Sequence, residues 1–241
     1  NEIERAYWDK RQLVKKINLN SLYGALLNPG CRFFDIRIGQ SVTLTGRCIT
    51  KHMAAKVNDI VAGKYNHTGE SIIYGDTDSV YFTAHKTLQK DINEGKITWN
   101  KESVIALYDK IAEEMNTTFS NFMTKAFHCP STRGSVIKAG RELVASKGLF
   151  ITKKRYAVLY YDVEGERTDT TGKEGKVKAM GLDLKRSDTP VFVQNFLSDI
   201  LYMVLIGKTE KQVLDRIGEF RSEFKARPGW EKGSPKRANN V

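Results

Sequence analysis

The chain has 241 residues, a formal net charge of +11 at pH 7, 40% hydrophobic and 28% charged side chains. That length can bury a proper core, and the basic balance calls for an anionic partner, either nucleic acid or an anionic membrane surface. The most apolar stretch, Val191 to Ile206, is broken by Gln194, Asn195, Ser198 and Asp199, which argues against a membrane span, while Cys31, Cys48 and Cys129 lack the spacing of a disulfide framework or zinc site.

In chain order, Ile3 to Leu27 favours helix, with Ala6, Leu13, Ile17 and Leu27 among charges, until Asn28-Pro29-Gly30 stops it. A second helix is expected from about Gln40 to Ala62, closed by Gly63. A hairpin follows, in which Ser71-Ile72-Ile73-Tyr74 and Val80-Tyr81-Phe82-Thr83 flank a polar centre. Lys101 to Lys125 forms a third helix with Asn100 as its cap. From Ser135 to Asp162 the pattern turns β-rich. Thr189-Pro190 opens another helix with proline at its first position, Thr209-x-x-Gln212 supplies a capping box for the last, and Arg227 to Val241 reads as irregular. These elements predict an α+β fold with the hairpin in its central sheet. The start at Asn1, with no initiator methionine, suggests an excised piece, and reduced cysteines suggest a cytoplasmic location.

The centre of the hairpin, Gly75-Asp76-Thr77-Asp78-Ser79, carries two carboxylates two positions apart. In extended chain, residues i and i+2 face the same way, so Asp76 and Asp78 would converge while Thr77 points aside. Two hard oxygen donors so placed suit Mg²⁺. A calcium loop beginning D-x-D would need an oxygen donor at Val80 and glycine at Tyr81, and fails at both. An Asp-rich turn with only a structural role is the plain alternative.

On the first helix, Lys16, Asn20, Tyr23 and Gly24 share one face at offsets of 0, 4, 7 and 8. Lysine offers a triphosphate a point charge, asparagine can hydrogen-bond a sugar or base, and tyrosine gives a flat surface to a base pair. A solvated helix face is the competing interpretation.

The string Lys16-Ile-Asn-Leu-Asn20-Ser21-Leu22-Tyr23-Gly24 followed by Tyr74-Gly-Asp-Thr-Asp-Ser79 resembles motifs B and C of the family B DNA polymerases, with similarity to the replicative polymerases of T4-like phages in particular. Lys153-Lys154-Arg155-Tyr156-Ala157 is similar to the basic strand by which that family's palm holds primer-template DNA, and Met180-Gly181-Leu182 with Ser187-x-Thr189-Pro190 resembles its passage from palm to thumb. The resemblance implies a fingers helix over 1–28, a palm with an antiparallel sheet and Asp-bearing hairpin over 29–181, and the start of a helical thumb over 182–241. It implies that Lys16 contacts the incoming dNTP, that Asn20, Tyr23 and Gly24 lie near the nascent base pair, and that Asp78 binds catalytic Mg²⁺ with support from Asp76. Glu142 falls where some relatives carry an accessory metal-site carboxylate. Lys153, Lys154, Arg155, Tyr156 and Arg186 would meet the duplex, and a sliding clamp is a further implied partner. The host implied is a phage-infected bacterial cell.

The family's motif A, D-x-x-S-L-Y-P-S, does not occur in these residues; Leu19-Asn20-Ser21-Leu22-Tyr23-Gly24 shares part of it but has Gly24 in place of proline. The resemblance therefore implies that the second metal-binding aspartate, like the exonuclease domain, comes from an upstream segment, and that the chain alone is inactive. Asp162-Val163-Glu164 looks like a proofreading D-x-E, but directly follows the basic strand and reads as structural. Two other functions compete: a non-catalytic duplex-DNA-binding module that keeps the palm fold, and a nucleotidyl cyclase, whose G-G-D-E-F hairpin is missing here.

Overall fold

The computed structural model describes residues 1–170, 172–186 and 188–233, so Ser187 and the Ser234-Pro235-Lys236-Arg237 stretch of the expected thumb lie outside the described residues. The chain forms two compact units, Asn1–Thr83 and Ala84–Val241.

The first unit opens with α1, Glu2–Leu26, whose first turn is closed by the Asn1 side chain accepting from the Ile3 amide. No α1 residue is buried, as expected of so polar a sequence. Helix α2, Ile36–Ala62, begins earlier than Gln40 because the Asp35 side chain accepts from the Arg37 amide and caps it, and Gly63 closes it at φ 68. Strands β1, Ile72–Asp76, and β2, Ser79–Phe82, pair antiparallel with Tyr74 opposite Tyr81 and Asp76 opposite Ser79. The α2 face carrying His52, Ala55 and Asn58 is buried, and α2 packs against both strands.

The second unit starts with α3, His85–Asn93, and α4, Lys101–Phe127. Asn100 caps α4 through a reciprocal box with Ser103. Helix α4 buries Val104, Ile111, Met115 and Phe119 and is followed by the single turn α5, Ser131–Gly134. The sheet consists of β3, Leu143–Thr152, β4, Arg155–Val163, β5, Glu166–Arg167, and β6, Lys176–Met180, with β4 paired to each of the other three. Its central position explains the continuous buried run Tyr156 to Leu159. Ala157, Leu159 and Ala179 pack with Leu205 of α6, Val191–Ile206, while Val144 and Tyr161 pack with Val104 of α4. Helices α7, Glu210–Ala226, and α8, Gly229–Lys232, follow, and the Thr209–Gln212 capping box forms as expected.

The α+β class is observed, with several local differences. The Asp-bearing hairpin is a two-stranded sheet of its own rather than part of the four-stranded one. The β-rich stretch begins at Leu143, because Ser135 to Glu142 leads away from a helical turn and is tied to α4 instead: the Asn116 amide donates to the Ala139 carbonyl (2.9 Å) and accepts from its N–H (2.7 Å). Pro190 takes the cap position rather than the first helical one, since the Thr189 hydroxyl turns back to the Asp183 carbonyl at 3.0 Å. Within the stretch read as irregular, Gly229–Lys232 forms one helical turn.

Candidate functional site

The hairpin tip is tighter than its sequence suggests. With Asp76 opposite Ser79, Thr77 and Asp78 alone make the turn, and Thr77 stands at φ 48. That is the left-handed region, an outlier for a β-branched residue. The alternation expected of extended chain therefore stops at Asp76, and the direction of Asp78 is set by the turn. Three hydrogen bonds fix this turn. The Thr77 hydroxyl donates to Asp76 Oδ1 (3.0 Å), the Ser79 hydroxyl donates to the Asp76 carbonyl (3.1 Å), and the Thr50 hydroxyl of α2 donates to the Thr77 carbonyl (3.0 Å). Asp76 is half-buried and Asp78 exposed, so Asp78 is the tip carboxylate that stands in solvent.

The base of the hairpin is held by Asn58, which is 1% exposed. Its amide donates to the Lys64 carbonyl (2.7 Å) and accepts from the Ser71 amide (3.2 Å), and Ser71 in turn accepts from Thr83 N–H beyond β2. Gly69 fits against Asn58 because it lacks a side chain: a Cβ there would fall 2.1 Å from the Asn58 amide. Nearby, His52 Nδ1 lies 2.8 Å from the Tyr65 hydroxyl, and burial, with the Lys56 charge second, lowers the imidazole pKa and favours its neutral form.

Lys16, Asn20, Tyr23 and Gly24 all lie on α1, where Tyr23 is half-buried and the other three are exposed. A Cβ added at Gly24 would meet no atom within 4 Å, so any close approach there is to a group from outside this unit's own packing.

In the second unit, Lys153 and Lys154 form the turn between β3 and β4, with Thr152 opposite Arg155. The basic segment read as strand is thus a hairpin tip, and strand begins only at Arg155. Lys153, Lys154 and Arg155 are exposed, with Lys154 at φ 60. Gly181, at φ 65, lets the chain pass directly beside this turn, for a Cβ there would lie 2.0 Å from the Lys154 carbonyl oxygen. Tyr156 is different in kind: it is 4% exposed and stacked on Phe150 at 5.6 Å, so it holds the hairpin together from inside.

Glu142 is ion-paired with Lys178, and Arg186 with Asp188 through two hydrogen bonds of 2.8 and 2.7 Å, which raise the pKa of the Arg186 guanidinium. Asp162 is buried and takes a hydrogen bond from Arg141, which also donates to Asp109 at 2.5 Å. Burial alone would lower the Arg141 pKa, but its bonds to Asp109 and Asp162 outweigh that and raise it. Glu164 sits in the β4–β5 turn at φ 50. An Asp tied to a buried guanidinium and a Glu in a tight turn support the structural reading of this D-x-E.

The chemistry of the hairpin donors fits Mg²⁺ in part. Among the described residues, no group of three or more His, Cys, Asp or Glu gathers to hold a metal ion. Two carboxylates leave most of a six-oxygen shell to water, substrate phosphates or other protein segments, which is the usual habit of Mg²⁺. The sequence contained no signal for Thr50 or Asn58, because a threonine and an asparagine in mid-helix look like surface residues until the chain that crosses them is known.

Comparison with known proteins agrees with these features. The model of DNA polymerase family B matches residues 1–227. The DNA-directed DNA polymerase of Escherichia phage RB69 is 33% identical over 204 residues, covering 80% of this chain and 22% of the relative. That of Enterobacteria phage T4 is 29% identical over 225 residues, covering 89% and 24%. The DNA polymerase delta catalytic subunit of Oryza sativa subsp. japonica is 29% identical over 207 residues, covering 85% and 16%. The chain thus spans less than a quarter of the length of these relatives. Among the described residues, no helix is long and apolar enough to cross a membrane.

Proposed function

The chain belongs to DNA polymerase family B, and on that premise we propose that it contributes motif C, motif B and a duplex-binding hairpin to template-directed DNA synthesis. The observation that carries this reading is the tip of the β1–β2 hairpin, where a braced two-residue turn carries the half-buried Asp76 and the exposed Asp78. Asp78 is the metal-binding carboxylate, and Asp76 supports it by charge and by hydrogen bonding. When bound, Mg²⁺ supplies activation of a primer 3′-hydroxyl and charge stabilisation for the departing pyrophosphate. Lys16 holds the triphosphate of the incoming dNTP, and Asn20 and Tyr23 face the nascent base pair, with Gly24 leaving room beside them. Glu142, if drawn from Lys178, adds an accessory carboxylate.

Lys153, Lys154 and Arg155 meet duplex phosphates, with Tyr156 fixing their hairpin and Arg186 adding a backbone contact. Phosphate contacts position DNA without reading its sequence, which suits an enzyme that must copy any template. We assign residues 1–28 to the fingers, 29–181 to the palm and 182–241 to the thumb. The second aspartate of the metal site and the exonuclease domain come from a segment outside these 241 residues, and a sliding clamp is a further partner in replication within a phage-infected bacterial cell.

Primer extension with Mg²⁺ and dNTPs tests this assignment by comparing the chain alone with a mixture containing the upstream half of a related family B polymerase. Incorporation in the mixture, and none by the chain alone, is expected. Efficient extension by the pure chain would refute the need for a further carboxylate. If the two pieces associate and bind primer-template yet incorporate nothing, the chain is a DNA-binding module rather than part of an active polymerase.

A further inference from the structure

Thr50 sits in the middle of α2, where a threonine hydroxyl ordinarily donates to a carbonyl one turn back and nothing more. Thr43 on the same helix follows that habit, with its hydroxyl 2.9 Å from the Gln40 carbonyl and 3.3 Å from that of Gly39. The Thr50 hydroxyl lies 3.0 Å from the Gly46 carbonyl and also 3.0 Å from the Thr77 carbonyl at the hairpin tip. It has one proton for two acceptors. Thr77 is the residue between the two carboxylates, and its φ of 48 is one that a β-branched side chain adopts only when its surroundings impose it. The bond to its carbonyl reaches the tip from a different element, whereas the bonds of the Thr77 and Ser79 hydroxyls both end on Asp76 itself.

We propose that Thr50 is a positioning residue for the metal-binding carboxylate Asp78: its hydroxyl holds the peptide after Thr77, and so sets the direction in which Asp78 leaves the turn. The inference rests on the reading of Asp78 as the metal ligand and of Asp76 as the carboxylate that supports it. A carboxylate holds an ion well only when its direction is fixed, and a peptide free to rotate at the tip would leave that of Asp78 unset. Thr50→Val keeps the side-chain shape and removes the donor. Because the Thr77 carbonyl stands at an exposed tip, water can replace the missing bond, so folding is little affected while the direction of the turn is released.

The test is Mn²⁺ binding to the 241-residue chain, followed by electron paramagnetic resonance of the free ion, with thermal unfolding measured in parallel. Asp76→Asn and Asp78→Asn are expected each to weaken binding strongly. Thr50→Val is expected to weaken it about tenfold, at the low end of what removing a partner that orients a metal ligand costs. Its melting temperature should move by less than about 3 °C, as befits a surface hydrogen bond. Thr50→Ser restores the hydroxyl and should bind Mn²⁺ like the native chain, which a loss of packing alone would not produce. Native affinity in Thr50→Val, with the Asp variants impaired, would overturn the role of Thr50 and leave the ligand assignment standing. Native affinity in both Asp variants would overturn the ligand assignment and the inference with it.

Discussion

Asp78 and Asn58 are both small polar residues of the hairpin unit, yet they answer to different measurements. Asp78 is exposed at the tip and stands outside the core, so Asp78→Asn removes charge without disturbing the fold. In the reconstituted polymerase it should abolish nucleotide incorporation and leave duplex binding within about twofold, since a single charge contributes little to a phosphate-dominated affinity. Incorporation at the native rate would show that Asp78 holds no catalytic metal. Asn58 is the reverse case, buried at the base of the hairpin rather than exposed at its tip. Asn58→Leu strips partners from the Lys64 carbonyl and the Ser71 amide and forces a branched side chain against Gly69. A hydrogen bond lost within this buried segment costs about 1–3 kcal/mol, so denaturant unfolding should show a loss of that order. A loss below about 1 kcal/mol, the scale of an ordinary surface change, would show that the loop before β1 does not depend on Asn58.

At the scale of elements, the β1–β2 and β3–β4 hairpins share a design that their sequences conceal. Both turn in two residues, and in both a non-glycine residue takes a positive φ, Thr77 in one and Lys154 in the other. Turns of this kind are normally announced by Gly, Asn or Asp at the left-handed position. Thr77 and Lys154 give no such signal, which is why Lys153-Lys154 reads as strand and Asp76-Thr77-Asp78 as extended chain. The helices were legible for the opposite reason: Asn100 and Thr209 are strong capping residues that announce their own ends. Helix α3, whose cap Ala84 makes no side-chain hydrogen bond, carries no comparable mark in the sequence. Placing Lys153 and Lys154 at a tip sharpens what their removal should do. Lys153→Ala combined with Lys154→Ala should weaken duplex binding and reduce the slope of log affinity against log salt by about 0.9 for each phosphate no longer neutralised, nearly two in all. Thermal stability should be nearly unchanged, because both side chains are exposed. An unaltered slope would place the DNA path on another surface.

For the molecule as a whole, the net charge of +11 favours a polyanionic partner, but it leaves open which acidic groups the folded state cannot spare. The two units differ in this respect. In the first, the carboxyl of Asp35 is held down to about 2 by the Arg37 guanidinium, in a pair that lies in solvent and is worth little to folding. In the second, Asp169 is only 7% exposed at its side chain and joins separate parts of the chain. Arg167 donates to both its oxygens at 2.9 Å, Lys101 at the start of α4 donates at 2.5 Å, and Arg167 also reaches Glu102 at 2.7 Å. The hydrogen bonds from Arg167, then the one from Lys101, hold the Asp169 carboxyl well below its usual range against the opposing effect of burial. A carboxyl lowered in the folded state stabilises that state fully above its unfolded value near 3.8, and the contribution is lost as pH falls through the folded one. Acid unfolding of the second unit should therefore include a component set by Asp169. In Asp169→Asn that component disappears: stability at pH 7 falls by about 1.5–3 kcal/mol, the usual size for hydrogen bonds to a charged group, and the difference from the native chain closes toward pH 2. Denaturant titrations at a series of pH values measure both quantities. A deficit that stayed constant from pH 7 to pH 2 would mean that Asp169 acts through shape and neutral hydrogen bonding, and that the Arg167–Asp169–Lys101 cluster is not what ties α4 to the chain after β5.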